Sequence, residues 1–407
     1  MKEYSIITLS NGIRCVHKHT KSPVAYLAIT VGSGTRDEAE TEHGVAHLVE
    51  HMLFKGTQKR TTYQVNNRLE GGGGELNAYT TKEETVVHAT CLKSDYLKAL
   101  DLLTDMIFNS KYPPSEIDRE RNVIIDEINS YKDAPSELIF DDFEELIFAD
   151  SSLGRNILGS KPVLRKLKRD DITTFVSRTY NTDQIVVSSS ANISHERFAE
   201  LCNKVLANIP ANLRTWERKT TERKVVFDIE KSKSTHQVHT LLGGYAYSIH
   251  EPQRLAFTLL INILGGASSL SILNQVLREK NALTYGVDAC YTPYASEGVW
   301  MIYFGCEATK HDKAMELILE QLSILRNTPL TTNKLSRLKR QFIGQLTLAS
   351  DNSESLLQSI AKSLLTFGEF EDMDSVIHRI TEVTPAEIQA VAQDVLDEKN
   401  ISKLIYR

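Results

Sequence analysis

The chain has 407 residues, of which 41% are hydrophobic and 25% are charged, and its formal net charge is −6. This length predicts two or more domains with an ordinary core. No segment reaches the roughly 18 uninterrupted apolar residues of a membrane span, and the negative charge excludes a general nucleic-acid binder. We therefore expect a soluble enzyme with neither membrane nor nucleic acid among its partners.

Strand and helix patterns alternate along the first half of the chain. An Asn11-Gly12 turn predicts a hairpin at the start, and a glycine-rich loop introduces a second strand pair. In chain order, the predicted strands are Tyr4–Leu9, Ile13–His19, Val24–Val31, Leu76–Thr80 and Glu84–Cys91. The predicted helices that follow are Ser94–Phe108, Ser115–Tyr131, Ser136–Phe148 and Arg169–Tyr180. Because strands and helices interleave throughout, we predict an α+β class with α/β-type layers.

The beginning of the chain carries an acid at Glu3 and alternates like a strand. It therefore matches neither a secretory signal nor an arginine-rich transit peptide. Five scattered cysteines without a C-x-x-C pattern suit a reducing compartment. We expect a cytoplasmic, prokaryotic protein, although a chain that had already been processed would begin in the same way.

His47, Glu50 and His51 form an H-x-x-E-H pattern within an apolar run. Residues four apart share one face of a helix, so both imidazoles can reach one metal ion. Glu50 stands beside the second histidine, and this is the layout of a zinc hydrolase that carries its own general base. The alternative is a buried amphipathic helix whose histidines form hydrogen bonds. Such a pattern arises by chance in about one chain in a few dozen.

The segment from Gly44 to Thr57, GVAHLVEHMLFKGT, resembles the zinc helix of the pitrilysin/insulysin family of inverzincins, which includes the mitochondrial processing peptidase. The resemblance implies that a downstream glutamate is the third zinc ligand. Glu127 falls 76 positions after His51 and matches this ligand. Glu120, seven residues earlier, matches a carboxylate that orients a ligand. Otherwise both acids would belong to the solvated face of an ordinary helix.

The same resemblance implies a zinc metalloendopeptidase that cleaves unfolded peptides. One Zn²⁺ per chain, held by His47, His51 and Glu127, would lower the pKa of its bound water from about 16 toward about 7. Glu50 would take the proton of that water as general base and pass it to the leaving amine.

An internal repeat divides the chain into two halves. Its clearest correspondences are Tyr79-Thr80 with Tyr291-Thr292, Cys91 with Cys306, and Glu127-Ile128 with Gln345-Leu346. The second copy lacks the metal ligands, because a histidine-free apolar segment near 257–266 replaces the zinc helix. We expect a catalytic domain at 1–208, a polar linker at 209–224 and a homologous metal-free domain at 225–407.

Two further substrate-binding elements are implied by the family resemblance. Arg278 and Tyr285, seven residues apart, match an Arg/Tyr pair that contacts the scissile peptide, and both side chains can donate to a developing oxyanion. Asn77 and the backbone of Ala78 match an edge strand to which the substrate adds as an extra strand. Without the resemblance, Arg278 would be read as a surface residue and Tyr285 as a packed one.

The resemblance implies two homologous domains, each a mixed β-sheet flanked by helices, facing each other across a peptide-binding cavity. Family members with four such domains close the chamber with one chain, so a second chain is expected here. An identical chain, giving a homodimer, is the simplest partner, and a metal-free homologue in a heterodimer is the second.

Two other functions compete with the peptidase. The chain could be a non-catalytic assembly subunit, like the core proteins of the respiratory cytochrome bc complex, which share this fold. Such subunits typically lose part of the zinc set, and this chain retains all of it. A zinc enzyme that acts on a non-peptide amide is the third possibility.

Overall fold

The computed structural model describes residues 4–220, 225–233 and 235–407. Residues 1–3 and 221–224, which include Glu3 and the end of the predicted linker, lie outside the described residues. The strands are β1 (Tyr4–Thr8), β2 (Arg14–His19), β3 (Val24–Val31), β4 (Glu75–Thr80), β5 (Thr85–Leu92), β6 (Ile185–Ala191), β7 (Asp228–Lys231), β8 (Val238–Ala246), β9 (Thr284–Pro293), β10 (Gly298–Cys306) and β11 (Ser402–Tyr406).

The helices alternate with these strands. They are α1 (Val45–Leu53), α2 (Thr62–Glu70), α3 (Tyr96–Asn109), α4 (Pro114–Lys132), α5 (Pro135–Ile147), α6 (Lys161–Leu164), α7 (Arg169–Thr179), α8 (His195–Leu206), α9 (Arg254–Gly265), α10 (His311–Asn327), α11 (Thr332–Ser350), α12 (Ser353–Phe367), α13 (Met373–Glu382) and α14 (Pro385–Val395). In the part of the chain that the structure describes, no helix combines the length and apolarity needed to cross a bilayer.

The chain forms two compact units, and each contains one mixed sheet with helices packed on it. The first unit comprises the described residues up to Ile128, Arg155–Glu217 and Ala349–Phe370. The second comprises the described residues of Asn129–Gly154, Arg218–Leu348 and Glu371–Arg407. The predicted α+β class, with two sheets flanked by helices, is therefore confirmed.

The six-stranded sheet of the first unit has the order β1-β2-β6-β3-β5-β4, with β2 and β6 parallel and the other pairs antiparallel. Strand β3 is buried at every position after Val24. Alternation sends Leu27 and Ile29 into the main core with α1 and α3, whereas Tyr26 and Ala28 face the helix α12. Covering both faces explains why this strand reads as a nearly continuous apolar run.

The five-stranded sheet of the second unit has the order β7-β11-β8-β10-β9, and only β7 and β11 pair in parallel among these strands. Strand β10 divides its side chains in the same way as β3. Trp300, Ile302 and Phe304 enter the core formed with α9 and α10. Val299 and Met301 on the opposite face pack in a separate cluster with α5.

The helices α5 and α12 pack outside the sequence half in which they occur. Helix α5 belongs to the second unit, where it buries Ile139, Phe143 and Ile147 against the five-stranded sheet. Helix α12 belongs to the first unit. There Ile360 and Leu364 pack against Val16 of β2 and Val186 of β6. The packed units therefore differ from the expected domains at 1–208 and 225–407, because these two helices exchange places.

Most of the predicted elements are confirmed to within a few residues, including the N-terminal hairpin and the helices near 94–108, 115–131, 136–148 and 169–180. The repeat is also seen in the elements. Tyr79 lies in β4 and Tyr291 in β9, Cys91 in β5 and Cys306 in β10, and Glu127 in α4 and Gln345 in α11. Helix α2 was not predicted from the sequence; its Thr61 N-cap and Gln64 form a capping box that signals a helix start.

We expect acid to destabilise the first unit through His17, which is fully buried on β2. The ring nitrogens lie 3.1 Å from Ser189 Oγ and 3.1 Å from the Ile193 carbonyl. Burial lowers the pKa of His17 to about 4. Between about pH 6.5 and that value the unfolded chain binds a proton that the folded chain does not, so the free energy of unfolding should fall by up to about 3 kcal/mol as the pH falls.

Urea denaturation at several pH values measures this loss. His17→Gln should flatten the dependence, because glutamine hydrogen-bonds without titrating in this range. His378→Gln is the matched control, since His378 is exposed and belongs to the other unit. An unchanged acid dependence in His17→Gln would contradict the assignment.

Candidate metal centre

Helix α1 begins at a backbone conformation that favours glycine. Gly44, its N-cap, has φ +103°, and a Cβ there would lie 2.8 Å from Leu164 Cδ2. The carboxylate of Glu38 accepts the N–H groups of Gly44 and Ala46 at 2.9 and 2.8 Å. Burial raises the pKa of Glu38 to about 8, while these two hydrogen bonds act in the opposite direction. Glu38 thus fixes the start of the helix that carries the motif.

The apolar side of α1 holds the motif in place. Val45, Leu48, Val49 and Met52 are fully buried in the core of the first unit. The remaining face presents His47 and His51, with ring centroids 4.7 Å apart and side chains 12% and 16% exposed. The histidines therefore lie together in a shallow, partly solvated position rather than inside the core.

Glu127 on α4 completes a group of three possible ligands. Its Oε2 lies 4.0 Å from His47 Nε2 and 3.8 Å from His51 Nε2. Neighbouring ligands of a tetrahedral zinc with bonds of about 2.0–2.1 Å are about 3.3 Å apart, so a shift of roughly half an ångström would suit this ion. In the described parts of the chain, this is the one group of three His, Cys, Asp or Glu residues close enough to hold a metal. The residues present fit zinc.

Glu120 and Lys55 orient the second histidine. His51 Nδ1 lies 3.0 Å from Glu120 Oε2, and Lys55 Nζ lies 2.7 Å from Glu120 Oε1. Burial would raise the pKa of Glu120, but the hydrogen bonds from Lys55 and His51 outweigh it and lower the pKa. An ionised Glu120 accepts the Nδ1 proton, which leaves the lone pair on Nε2, the nitrogen that faces Glu127.

His47 is uncharged at neutral pH. Burial lowers its pKa to about 3, and the neighbouring His51 adds to the effect. Its Nδ1 is buried and has no hydrogen-bond partner in the described structure. Metal ions bind the neutral imidazole, so this environment favours a ligand over a cation.

Glu50 is half-buried beside the cluster, and burial raises its pKa. Polar groups of Thr80 and the His51 ring counteract part of this rise. A carboxylate with a raised pKa is a stronger proton acceptor near neutral pH, as a general base requires.

The edge strand β4 packs against α1 in the same unit. It pairs with β5, and Asn77 lies opposite His88. No other described strand pairs with it. Asn77 is exposed and Ala78 is half-buried. The structure thus places both residues on an open sheet edge next to the helix that carries the histidines.

The predicted residues Arg278 and Tyr285 lie in the second unit. Arg278 belongs to a π-helical segment, Asn274–Lys280, and its side chain is 51% exposed. Tyr285 lies near the start of the edge strand β9 and is 84% exposed. Between them, Ala282 adopts φ +48°, a conformation that costs an alanine some strain. Both side chains reach solvent, and Arg278 Nε pairs with Glu279 Oε1 at 3.5 Å.

The counterpart of the metal centre in the second unit is a pair of amides. Asn262 on α9 donates its Nδ2 hydrogen to Gln345 Oε1 at 3.0 Å. Gln345 is the residue that the repeat matches to Glu127. A neutral hydrogen bond therefore occupies the position where the first unit collects two histidines and a carboxylate.

Three residues of the site were missed in the sequence analysis. Glu38 caps α1, Lys55 binds Glu120, and Thr80 lies near Glu50. Lys55 follows His51 by four residues, a helical spacing that could have drawn attention to it. Nothing local in the sequence marks Glu38 as the acceptor for a helix that starts seven residues later.

Comparisons with known proteins identify related sequences over nearly the whole chain. Residues 14–161 match the family described as Insulinase (Peptidase family M16), and residues 166–342 match the Peptidase M16 inactive domain. An uncharacterized zinc protease of Streptomyces coelicolor is 31% identical over 96% of this chain and 87% of its own length. The uncharacterized zinc protease YmxG of Bacillus subtilis is 30% identical over 98% and 97%.

More distant relatives extend the comparison. The β subunit of the mitochondrial-processing peptidase of Dictyostelium discoideum is 28% identical over 97% of this chain and 86% of its own. Two solved structures share the fold. A protease from Helicobacter pylori superposes with a TM-score of 0.92 at 18% identity, covering both chains fully. A peptidase M16 inactive domain from Pseudomonas fluorescens gives 0.90 at 17% identity, covering 99% and 98%.

The zinc proteases that are at least 30% identical over nearly the whole chain, together with the two matched domains, show that this chain belongs to peptidase family M16, the insulinase family, as the motif predicted.

Proposed function

We propose that this chain is a zinc-dependent endopeptidase that hydrolyses unfolded peptides, with one zinc held by His47, His51 and Glu127. The observation that carries the proposal is the convergence of two imidazole Nε2 atoms on one carboxylate oxygen of Glu127, with Glu50 alongside. Zinc bound there would supply a Lewis acid that activates water and polarises the peptide carbonyl.

Glu50 has the role of proton carrier. Its carboxylate accepts the proton of the attacking water and then gives it to the nitrogen of the departing amine. Its half-buried position favours the first of these steps, because burial raises the pKa of Glu50 and makes its carboxylate a better acceptor for the proton of water. Glu120 is a positioning residue, since it acts on His51 rather than on the substrate.

The open edge of β4 is the proposed place for the peptide backbone. An extended peptide can pair with this edge, Asn77 and the Ala78 backbone supply contacts, and the strand lies against α1. A folded domain cannot offer a free strand without unfolding. This requirement favours unfolded peptides as substrates over globular proteins and over small non-peptide amides.

Arg278 and Tyr285 are proposed to contact the scissile peptide. A guanidinium and a phenol both donate hydrogen bonds to a carbonyl or an oxyanion. Both side chains are exposed in the second unit, and the Glu279 carboxylate lies near Arg278 Nε only, at 3.5 Å.

A second chain is proposed as the partner, most simply an identical one, because this chain contains the metal set and the Arg/Tyr pair together. The relative named as a subunit of mitochondrial-processing peptidase supports a heterodimer as the alternative. Light scattering of the purified chain alone distinguishes the two assemblies. The complete metal set argues against a purely structural subunit.

The ligand assignment predicts one zinc per chain. His47→Ala, His51→Ala and Glu127→Gln should each lose most of it, because two ligands hold the ion much more weakly than three. Glu120→Gln should weaken zinc binding by about 10- to 100-fold through the lost orientation of His51. Elemental analysis after dialysis measures the content. Asp126→Asn is the matched control, since Asp126 is exposed beside Glu127, and full occupancy in Glu127→Gln would refute that ligand.

The general-base assignment predicts that Glu50→Gln keeps its zinc and loses about 100- to 10,000-fold in peptide hydrolysis, because an amide cannot accept the proton. Mass spectrometry of a digested peptide mixture measures the rate. The wild type with a chelator serves as the metal-free reference. Cleavage by Glu50→Gln at close to the wild-type rate would show that another group takes the proton.

The substrate-binding assignment predicts lower turnover in Arg278→Ala and Tyr285→Phe with zinc content unchanged, because neither residue belongs to the metal cluster. Lys280→Ala, exposed on the same segment, is the control. The assay compares an extended peptide of tens of residues with a stable folded domain, which should stay intact. Unchanged turnover in both variants, or rapid internal cleavage of the folded domain, would exclude this mode of substrate binding.

A further inference from the structure

We propose that the first unit binds a small molecule with an apolar body and one anionic end, in a cavity formed by the helices α3, α7 and α8. The cavity has a volume of about 980 Å³, at the upper end of the range for ligand pockets. None of the proposed zinc ligands, Glu50 or the β4 contacts lines it. The inference therefore does not rest on the peptidase proposal.

The wall of the cavity is apolar where the three helices meet. Four apolar side chains line it and are only partly buried against the main core, so each still has apolar surface exposed to the cavity. They are Phe108, Val176, Val205 and Ile209. Tyr180 forms a buried part of the same wall. A hydrocarbon or aromatic body placed against these side chains would remove apolar surface from water, which is the main source of affinity in such pockets.

The rim of the cavity is cationic. Lys59, Arg68, Lys98 and Lys204 line it, and all four are exposed. Lys98 is held by Asp95 at 2.5 Å, and Arg68 also lies near that carboxylate. Lys59 and Lys204 form no ion pair with any described residue, so both charges remain available.

Four cations line the cavity against two acids, and those two acids share one further guanidinium. Asp101 and Asp105 both pair with the guanidinium of Arg60. Asp105 also accepts hydrogen bonds from Thr57 Oγ1 at 2.5 Å and from Asn109 Nδ2 at 3.0 Å. The free charge that a ligand meets is therefore positive, which favours an anion over a cation of the same shape.

A smaller adjoining hollow strengthens the charge argument. It has a volume of about 400 Å³, shares Lys59 and Arg68 with the cavity, and adds Arg60 and the exposed ring of Tyr63. The anionic end of a ligand is thus assigned to the cationic rim, where the unpaired charges of Lys59 and Lys204 both attract it, with the apolar body against the helical wall. Helices form most of the wall, so the extended backbone of a peptide would find no strand to pair with.

The test uses two dyes that share the same rings. Anilinonaphthalene sulfonate carries one negative charge, and N-phenylnaphthylamine carries none. Fluorescence titration of the full chain should show the anionic dye binding at least about tenfold more tightly. Lys59→Glu and Lys204→Glu should each weaken the anionic dye by about tenfold and leave the neutral dye unchanged. Val205→Trp, which fills the apolar wall, should weaken both dyes.

Lys21→Glu is the matched control, because Lys21 is exposed and lies outside the cavity lining. Thermal melting of every variant shows that it is folded. Peptide cleavage at the wild-type rate shows that a substitution in the cavity has not disturbed the rest of the first unit. Equal affinity for the two dyes would overturn the proposal. So would an effect of Lys21→Glu as large as that of Lys204→Glu, or normal binding of both dyes by a folded Val205→Trp variant.

Discussion

The carboxylate of Glu120 joins the two helices that carry the candidate zinc ligands. It lies on α4. It contacts His51 on α1 and Lys55, which follows the end of that helix by two residues. Two histidines on one helical face are geometrically easy to obtain, because the helix repeat itself supplies the spacing. The carboxylate of Glu127, 76 residues after His51, is harder to bring there, since its position depends on the packing of both helices. The Glu120 contacts hold α4 against the C-terminal end of α1, and Glu127 on the same helix approaches the two histidines.

The sequence predicted what depends on local pattern. Alternating residues around Asn11-Gly12 predicted the first hairpin, and the spacing of His47, Glu50 and His51 predicted their common face. The family resemblance, rather than any local pattern, drew attention to Glu127. Glu38 could not be found in this way, because nothing in its neighbours shows that its carboxylate turns back to cap α1. Helix α5 was predicted as a helix and α12 was not, and an amphipathic pattern does not in any case show which sheet will cover its apolar face.

The two halves show how a duplicated fold can keep its core and change its chemistry. The Asn262–Gln345 pair joins two neutral amides by a hydrogen bond and needs no ion. In the first unit, by contrast, the neutral imidazole of His47 has a buried nitrogen and a depressed pKa, and three ligand atoms face one another. Such a cluster gains from a cation at its centre. The second unit is correspondingly free to use its exposed arginine and tyrosine for another purpose.

The placement of α12 has a consequence for how the chain is made. Its Ile360, Ala361 and Leu364 cover Val16 and Val186 on one face of the first sheet. The strands of that sheet are synthesised well before α12. During translation the sheet face that α12 will cover is therefore exposed to solvent until nearly half of the chain has been added. A fragment that ends at the linker lacks α12, so Val16 and Val186 would stay exposed even after the fragment has folded. Because exposed apolar patches attract other proteins, we expect chaperones to contact this face during translation. For the same reason we expect half-length fragments to aggregate.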